Sequence, residues 1–435
     1  MEIRTIGFET FLPWTTLFKV LRDMKNSNPN PDTFLIIGLN YTKLFALKSL
    51  FLFLLLSCAQ AQEENQMQEE PVLKVGAERV NEYLPLLKDK SVGFVGNQTS
   101  MIDNRHAVDS LLDLGVKIVR VFSPEHGFRG TADAGEHVTA NKDEKTGLSI
   151  YSLYGKQKKP DVVSLKGIDV MVFDIQDVGV RFYTYISTLH YVMEACSENK
   201  IPLIVLDRPN PNGHYVDGPV LDMNYKSFVG MHPIPTVHGM TIGEYAKMIN
   251  GEGWLPDGET CELTVIPVKN YTHKTPYSLP IPPSPNLRSD EAIQLYPSLC
   301  LLEATQVSVG RGTEGPFECY GHPDFPKTEF SFIPRSGFGS KSPKFEGEVC
   351  NGYNLKDSVN GQLYALDLSY LIHSYNLLGD RIFEGKEKSF NLLAGNGELI
   401  KQIKAGKTAS EIRETWETEL DQYKTTIRSK YLIYE

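Results

Sequence analysis

The chain has 435 residues, enough for two domains that each bury a core, and its 41% hydrophobic and 23% charged fractions exclude long disorder. Lys plus Arg is 44 against 54 for Asp plus Glu, so the formal net charge is −10. A polyanion such as DNA is repelled overall, which argues against nucleic acid as a partner.

In chain order, the first distinctive stretch is "KLFALKSLFLFLLLSCAQAQ" at 43–62, lysines followed by a short apolar run and small residues. That is the layout of a bacterial export signal, with an apolar core too short for a comfortable membrane span. Two endings compete: Leu55-Leu56-Ser57-Cys58 resembles a lipoprotein processing box, and Ala59-Gln60-Ala61 an ordinary signal-peptidase site. Both place the mature protein outside the cytoplasm, in the periplasm or lipid-anchored to the outer membrane, with membrane contact only through a lipid on Cys58. The 42 residues ahead of the lysines are odd for a signal, and translation is expected to start later. Residues 1–70 are therefore read as export signal and tether, "EENQMQEE" being the solvated part.

Residues 71–228 read as a Rossmann-like α/β domain. "SVGFVG" (91–96), "VKIVRVF" (116–122), "IDVMVFDI" (168–175) and "IPLIVLD" (201–207) have the run length of strands buried on both faces. "NRHAVDSLLDLG" and "TYISTLHYVMEACSENK" between them have helical spacing, and strand–helix–strand at this rhythm predicts a parallel sheet covered by helices. In such sheets the ligand crevice lies at the carboxyl ends of the strands. Those ends carry "SPEHGFRG" (123–130), "DIQDVGVRFYTY" (174–185) and "DRPNPNG" (207–213). The first strand runs into "GNQTS", which has neither G-x-G-x-x-G nor a P-loop lysine, so no dinucleotide or ATP cofactor is expected.

Residues 229–435 read as a second, α+β domain packed on the strand-end face, with the active-site cleft between the two. It includes a helix in "HGMTIGEYAKMINGEG" capped near Thr241, a strand in "CELTVIPV" and an irregular wall in "YSLPIPPSPNLRS". A glycine-rich, strand-like stretch (304–325) and helices near 361–378, 394–404 and 408–422 follow. Six cysteines, at 58, 196, 261, 300, 319 and 350, contain no C-x-x-C pair, which argues against a zinc ribbon or thioredoxin-like site. With Cys58 set aside the number is odd, pointing mostly to buried thiols, with one disulfide left open.

Glu125 follows Pro124 and precedes Gly127 and Gly130, which holds a carboxylate at a strand mouth, suited to general acid work. The plainer alternative is that Glu125 ties His126 or Arg129 into a turn. Asp174, Asp177, Tyr183 and Tyr185 suit a sugar, whose C–H face stacks while hydroxyls take hydrogen bonds, although a buried strand-end residue is the commoner role for Asp174 and the tyrosines are equally core. Arg129, Arg181 and Arg311 form a carboxylate trap if they converge, and surface ion pairs if they do not. His126, Asp133, Asp174, His190, His232 and His238 offer metal ligands, but no H-E-x-x-H occurs, and no catalytic metal is expected; nor is there a G-x-S-x-G serine elbow.

Taken together and in order, "SPEHGFRG", "QDVGVRFYTYISTL", "LDRPNPNG", "HGMTIGEYA", "PPSPN" and "VGRGTEGPFE" resemble the NamZ-type exo-β-N-acetylmuramidases, over about residue 75 to the C-terminus. The chain departs from that pattern at Ala304 and Gln306, in "PNLRS", and at His214. The resemblance implies an exo-acting glycoside hydrolase that releases N-acetylmuramic acid from the non-reducing end of peptidoglycan fragments, disaccharides and muropeptides. It also implies Glu125 as the acid and Glu303 as the second carboxylate. Asp174 or Glu303 would then act as second catalytic group or orient the substrate's 2-acetamido group. Arg129, Arg181 or Arg311 would bind the lactyl carboxylate, and Tyr183, Tyr185 and Asn286 would complete the pocket with His126 and Asp177 beside it. Two rivals stay open on the sequence: a periplasmic muropeptide-binding protein without catalysis, and a metal-dependent cell-wall amidase or esterase.

Overall fold

The four apolar runs fold as strands, because residues facing opposite sides of the sheet are apolar alternately on two buried faces. The structure, a computed structural model, describes residues 72–130 and 142–435, with isolated positions 19, 22 and 49 upstream. The export-signal stretch, the tether and Asp133 lie outside the described residues. Met1–Val72 and Leu73–Glu435 are separate units, and the elements and the pocket described below belong to the second.

Its main sheet contains β1 (Ser91–Gly96), β4 (Lys117–Ser123), β5 (Ser149–Ser152), β6 (Val170–Asp174), β7 (Leu203–Leu206) and β8 (Leu263–Ile266); β2 (Met101–Ile102) and β3 (Arg105–His106) form a small hairpin. The order is β5-β4-β1-β6-β7-β8, and every pairing is parallel. Phe94, Val121, Val172 and Ile204 point to one face, under α1 (Val80–Leu87) and α2 (Ala107–Asp113). Val95, Phe122, Phe173 and Val205 point to the other. There the short α3 (Val162–Leu165), α4 (Tyr185–Asn199) and α5 (Ile242–Gly251) contribute to the larger core. Thr241 caps α5 as read, its hydroxyl accepting from the Glu244 N–H at 3.3 Å while Glu244 Oε2 accepts from the Thr241 N–H at 2.9 Å.

Strand β8 is the predicted "CELTVIPV" strand, and it completes the parallel sheet beside β7, so the sheet draws on residues from both sides of 228. Beyond it come α6 (Asp290–Glu303), a three-stranded antiparallel sheet of β9 (Cys319–His322), β10 (Phe330–Phe332) and β11 (Cys350–Asn354), and five helices. These are α7 (Ser369–Leu378), α8 (Glu387–Ala394), α9 (Glu398–Lys404), α10 (Ala409–Arg413) and α11 (Glu417–Gln422), making a C-terminal second domain. The helix expected from about 361 begins only at 369, because side chains take the preceding N–H groups: Leu363 donates to Gln294 (3.0 Å), Leu366 to Asp217 (2.7 Å) and Asp367 to Ser298 (2.8 Å). Most of α8 lies ahead of the helix expected at 394–404. The five described cysteines are buried free thiols.

Candidate active site

Numbered in chain order, the six strands of the sheet run 3-2-1-4-5-6, so the winding reverses between β1 and β6 and a crevice opens at their carboxyl ends. β4 leaves that edge through Pro124, and the Gly127 N–H closes back on the Pro124 carbonyl at 3.2 Å. His126 (φ 71°) and Gly127 (φ 77°) are both left-handed. For the buried His126 this conformation costs on the order of 1–2 kcal/mol, which the surrounding packing must hold. The turn leaves Glu125 half-buried on a narrow pocket of about 80 Å³, with His126, Tyr183, Tyr185, Ser284, Tyr296, Arg311 and Phe317 among its walls. Larger cavities of 520 and 740 Å³ exist elsewhere, but none of the sequence-selected residues lines them.

Around Glu125 the hydroxyls of Tyr154 and Tyr185 are fixed. Tyr154 is hydrogen-bonded to it, and burial together with the Glu125 charge pushes the Tyr154 hydroxyl up to about 12. Tyr185 donates to the Pro283 carbonyl (3.1 Å) and accepts from Asn97 Nδ2 (3.0 Å), which ties the end of β1 and the "PPSPN" wall to the pocket floor. Burial and then Glu125 raise its hydroxyl too. Tyr183 packs edge-on against Tyr185 and Tyr296, at 4.8 and 5.8 Å between ring centres.

Another part of the pocket lining comes from α6 and the loop after it. Tyr296 and Glu303 are seven residues apart, two turns along one helix face. Glu303 receives Arg311 in a bidentate pair, Nε to Oε1 at 2.5 Å and Nη2 to Oε2 at 2.7 Å. Both side chains keep about a quarter of their surface open, 24% for Glu303 and 28% for Arg311. Burial opposes ionisation of Glu303, but Arg311 and then Lys344 outweigh it and hold the carboxyl below its ordinary value. Arg311 stands between Gly310 (φ 77°) and Gly312 (φ 80°), where a Cβ would meet Cys319 Sγ at 2.6 Å and the Arg335 carbonyl at 2.5 Å respectively. Only glycine permits that turn, which lays the guanidinium over Phe317 at 5.2 Å.

Other sequence-selected residues do different work. Asp174 is fully buried with both oxygens on Arg208, at 2.6 and 3.0 Å, so it closes a strand end and offers no oxygen to a sugar. Arg129 is spent on Asp109 and Asp143 (2.8–3.2 Å), and its guanidinium lies over Phe128. Arg181 is wholly buried, its Nη atoms donating to the carbonyls of Pro219, Ile234, Leu393 and Ala394 at 2.7–3.1 Å. The three arginines therefore do not converge, and Arg311 alone of them lines the pocket. Asp177 accepts the Gly179 N–H (2.7 Å) with His238 at 3.7 Å, and Asn286 donates to the Gly339 carbonyl (2.7 Å); both are buried supports. His190 and His232 bond each other at 2.9 Å, and His232 also faces the Tyr245 hydroxyl at 2.8 Å. Among the described residues no three His, Cys, Asp or Glu side chains form a metal-binding group.

Residues 92–291 match the family model "Exo-beta-N-acetylmuramidase NamZ, N-terminal", and residues 294–434 match its C-terminal counterpart. The chain belongs to the NamZ family. It is 39% identical over 397 residues to "Peptidoglycan beta-N-acetylmuramidase NamZ" of Bacillus subtilis (strain 168), covering 86% of this chain and 95% of that protein. Two crystal structures of DUF1343 family proteins from Bacteroides fragilis NCTC 9343 share the fold. One is 47% identical with a TM-score of 0.77, over 84% of this chain and 99% of that one. The other is 29% identical with a TM-score of 0.71, over 83% and 99%.

The two NamZ segments meet inside the first turn of α6. Glu125, Tyr183, Tyr185 and Ser284 of the pocket come from the first, and Tyr296, Arg311 and Phe317 from the second, so the site is shared between them. Sequence reasoning missed Tyr154, Tyr296, Phe317 and Lys344. Phe317 lies inside the recognised "VGRGTEGPFE" stretch, whereas nothing local marks Tyr296, Tyr154 or Lys344, the last two reaching the site from distant loops.

Proposed function

We propose that this protein is an exo-acting β-N-acetylmuramidase, a glycoside hydrolase of peptidoglycan, with Glu125 as its general acid. The observation that carries the reading is one pocket lined by Glu125, Arg311 and the rings of Tyr183, Tyr185 and Tyr296. Glu125 gives its proton to the glycosidic oxygen, and the departing sugar leaves with a neutral hydroxyl. The anomeric carbon, now oxocarbenium-like, is supported by the ionised Glu303 until water adds, giving up a proton that returns Glu125 to its acid form. The terminal residue is an N-acetylmuramic acid of a disaccharide or muropeptide, whose lactyl carboxylate meets Arg311 while its ring lies against Tyr183 and Tyr185.

Glu125→Gln is expected to lower kcat on a chromogenic N-acetylmuramic acid glycoside by about two to four orders of magnitude. Near-normal turnover would remove Glu125 as the acid. The N-acetylglucosamine analogue, which lacks the lactyl group, should be hydrolysed far less well; equal rates would sink the Arg311 contact.

The same reading includes export: the lysine-led apolar stretch at 43–62 directs secretion, with processing at Cys58 or after Ala61. N-terminal sequencing and palmitate labelling of the native protein decide between a lipid anchor on Cys58 and a soluble form starting at Gln62. An uncleaved chain in the cytoplasm would end this part of the proposal.

A further inference from the structure

The C-terminus of α6 raises a question that the pocket alone does not answer. A helix leaves its last carbonyls without intrahelical partners, and here those carbonyls lie directly behind Glu303. One ammonium gathers them: Lys344 Nζ donates to the carbonyls of Leu302 (3.2 Å), Glu303 (2.8 Å), Thr305 (2.8 Å) and Val307 (2.9 Å). Three protons shared over four acceptors surround the cation almost completely, a far more demanding arrangement than a surface lysine near a helix end.

Lys344 arrives on the excursion between β10 and β11, which is fastened to the pocket rim twice more. The Arg335 N–H donates to the Gly312 carbonyl at 2.8 Å, beside Arg311, and the Gly339 carbonyl accepts from Asn286 at 2.7 Å. One loop thus grips the turn that bears Arg311, the "PPSPN" wall and the end of the helix that bears Glu303. We propose that Lys344 is a positioning residue for the Glu303–Arg311 pair, setting the 302–307 turn and supplying a second positive charge behind the Glu303 carboxylate. This rests on the muramidase reading, in which that carboxylate faces the reacting sugar.

A neutral donor would satisfy carbonyls without carrying charge into a buried place, so the choice of lysine needs an electrostatic reason. The charged and titratable groups facing Glu303 are Arg311 and Lys344, with Tyr296 and Cys300 on its own helix. Facing Lys344 are Glu303, Lys386, Arg311 and Cys300. Burial lowers the Lys344 ammonium to about 8, with Glu303 opposing and Lys386 and Arg311 adding to the fall. The lysine is therefore still charged at neutral pH and favours the ionised form of Glu303.

The test follows the Glu303 side-chain carboxyl by 13C NMR, assigned against Glu303→Gln, in the wild type, Lys344→Met and Lys344→Gln. Both variants should raise the pH at which Glu303 titrates, and the acid limb of kcat on the N-acetylmuramic acid–N-acetylglucosamine disaccharide should move up with it. At pH 7 kcat of Lys344→Met should fall about ten- to a hundredfold with KM changed less than about threefold. Lys344→Gln, which keeps hydrogen-bond donors but no charge, should recover part of kcat and none of the pH shift. An unchanged Glu303 titration in both variants overturns the proposal. If neither variant unfolds cooperatively, the wild-type Glu303 signal should still show a second inflection near pH 8 as Lys344 loses its proton, and its absence overturns the proposal equally. Failure of the wild type to cleave the disaccharide would count against the muramidase reading instead, because the titration reads the Lys344–Glu303 coupling without any turnover.

Discussion

At the scale of single residues, the pocket separates groups that share a chemistry but not a job. Arg129, Arg181 and Arg311 are all guanidiniums within two residues of a glycine, and what distinguishes them is the partner each meets. Arg129 bridges two carboxylates that are themselves almost fully buried, Asp109 and Asp143. Among the described residues Arg129→Ala would leave Asp109 with Lys145 and Asp143 with the neutral donors of Thr146, a loss of about 2–4 kcal/mol once the partial exposure of Arg129 is allowed for. We expect a lower midpoint in urea unfolding with KM for the disaccharide essentially unchanged. A raised KM at unchanged stability would instead return Arg129 to the substrate.

At the scale of elements, the C-terminal helices are attached to the sheet domain through main-chain groups and a few buried side chains. Arg181 clamps the end of α8 from within, and the clamp depends on Gly395, whose φ is 79° and whose Cβ position lies 2.4 Å from Arg181 Nη2. Gly395→Ala combines a left-handed L-residue with that clash, and should cost more than about 2 kcal/mol, visible as a drop in Tm; a shift within error would mean that the clamp yields freely. The chain end is held in a similar way. The Tyr434 hydroxyl donates to Asp207 at 2.6 Å, and the Ile433 N–H donates to Glu244 at 2.8 Å, under the edge of the parallel sheet.

For the whole molecule, stability should depend on pH through buried imidazoles. Burial, with Arg129 adding, lowers His106 to about 4; burial, with Lys226 and Lys159 adding, lowers His190 to about 4. Between pH 4 and 6.5 the unfolded chain binds protons at these sites that the folded one refuses, so stability falls as pH drops through that window. Asp207 works the other way. Burial raises it to about 6, so below that pH the folded state binds a proton that the unfolded state, down to about 3.8, does not, and this offsets part of the loss. His232, lowered by burial too, adds to the loss and Asp174, raised by burial, to the offset, and Tm should decline from pH 7 to 4.5, a free-energy change on the order of a few kcal/mol. His106 caps α2, accepting from the Val108 N–H at 3.3 Å, and Asn is a good cap that does not titrate. His106→Asn should therefore make the decline shallower; an unchanged slope would show that His106 is not among its causes.

Much of this was legible in the chain because it is written locally. Short runs such as "SVGFVG" and "IPLIVLD" carry their own strand signature, Thr241 and Glu244 their own cap, and Glu125 its own strand mouth with a proline before it and glycines after. The parallel sheet and the position of Glu125 at its carboxyl edge followed from those signals alone. The partners of long polar side chains did not, because an arginine has the same local spacing whether it meets a substrate, a carboxylate or four carbonyls. Asp174 closed on Arg208, Arg181 vanished into the core and Lys344 came from a distant loop to the end of α6, each decided by contacts across 34 or more residues. The sequence by itself determined which chemical groups stand at the strand ends; only the tertiary structure decided which of them meet, since burial and pairing depend on chain segments that no local pattern connects.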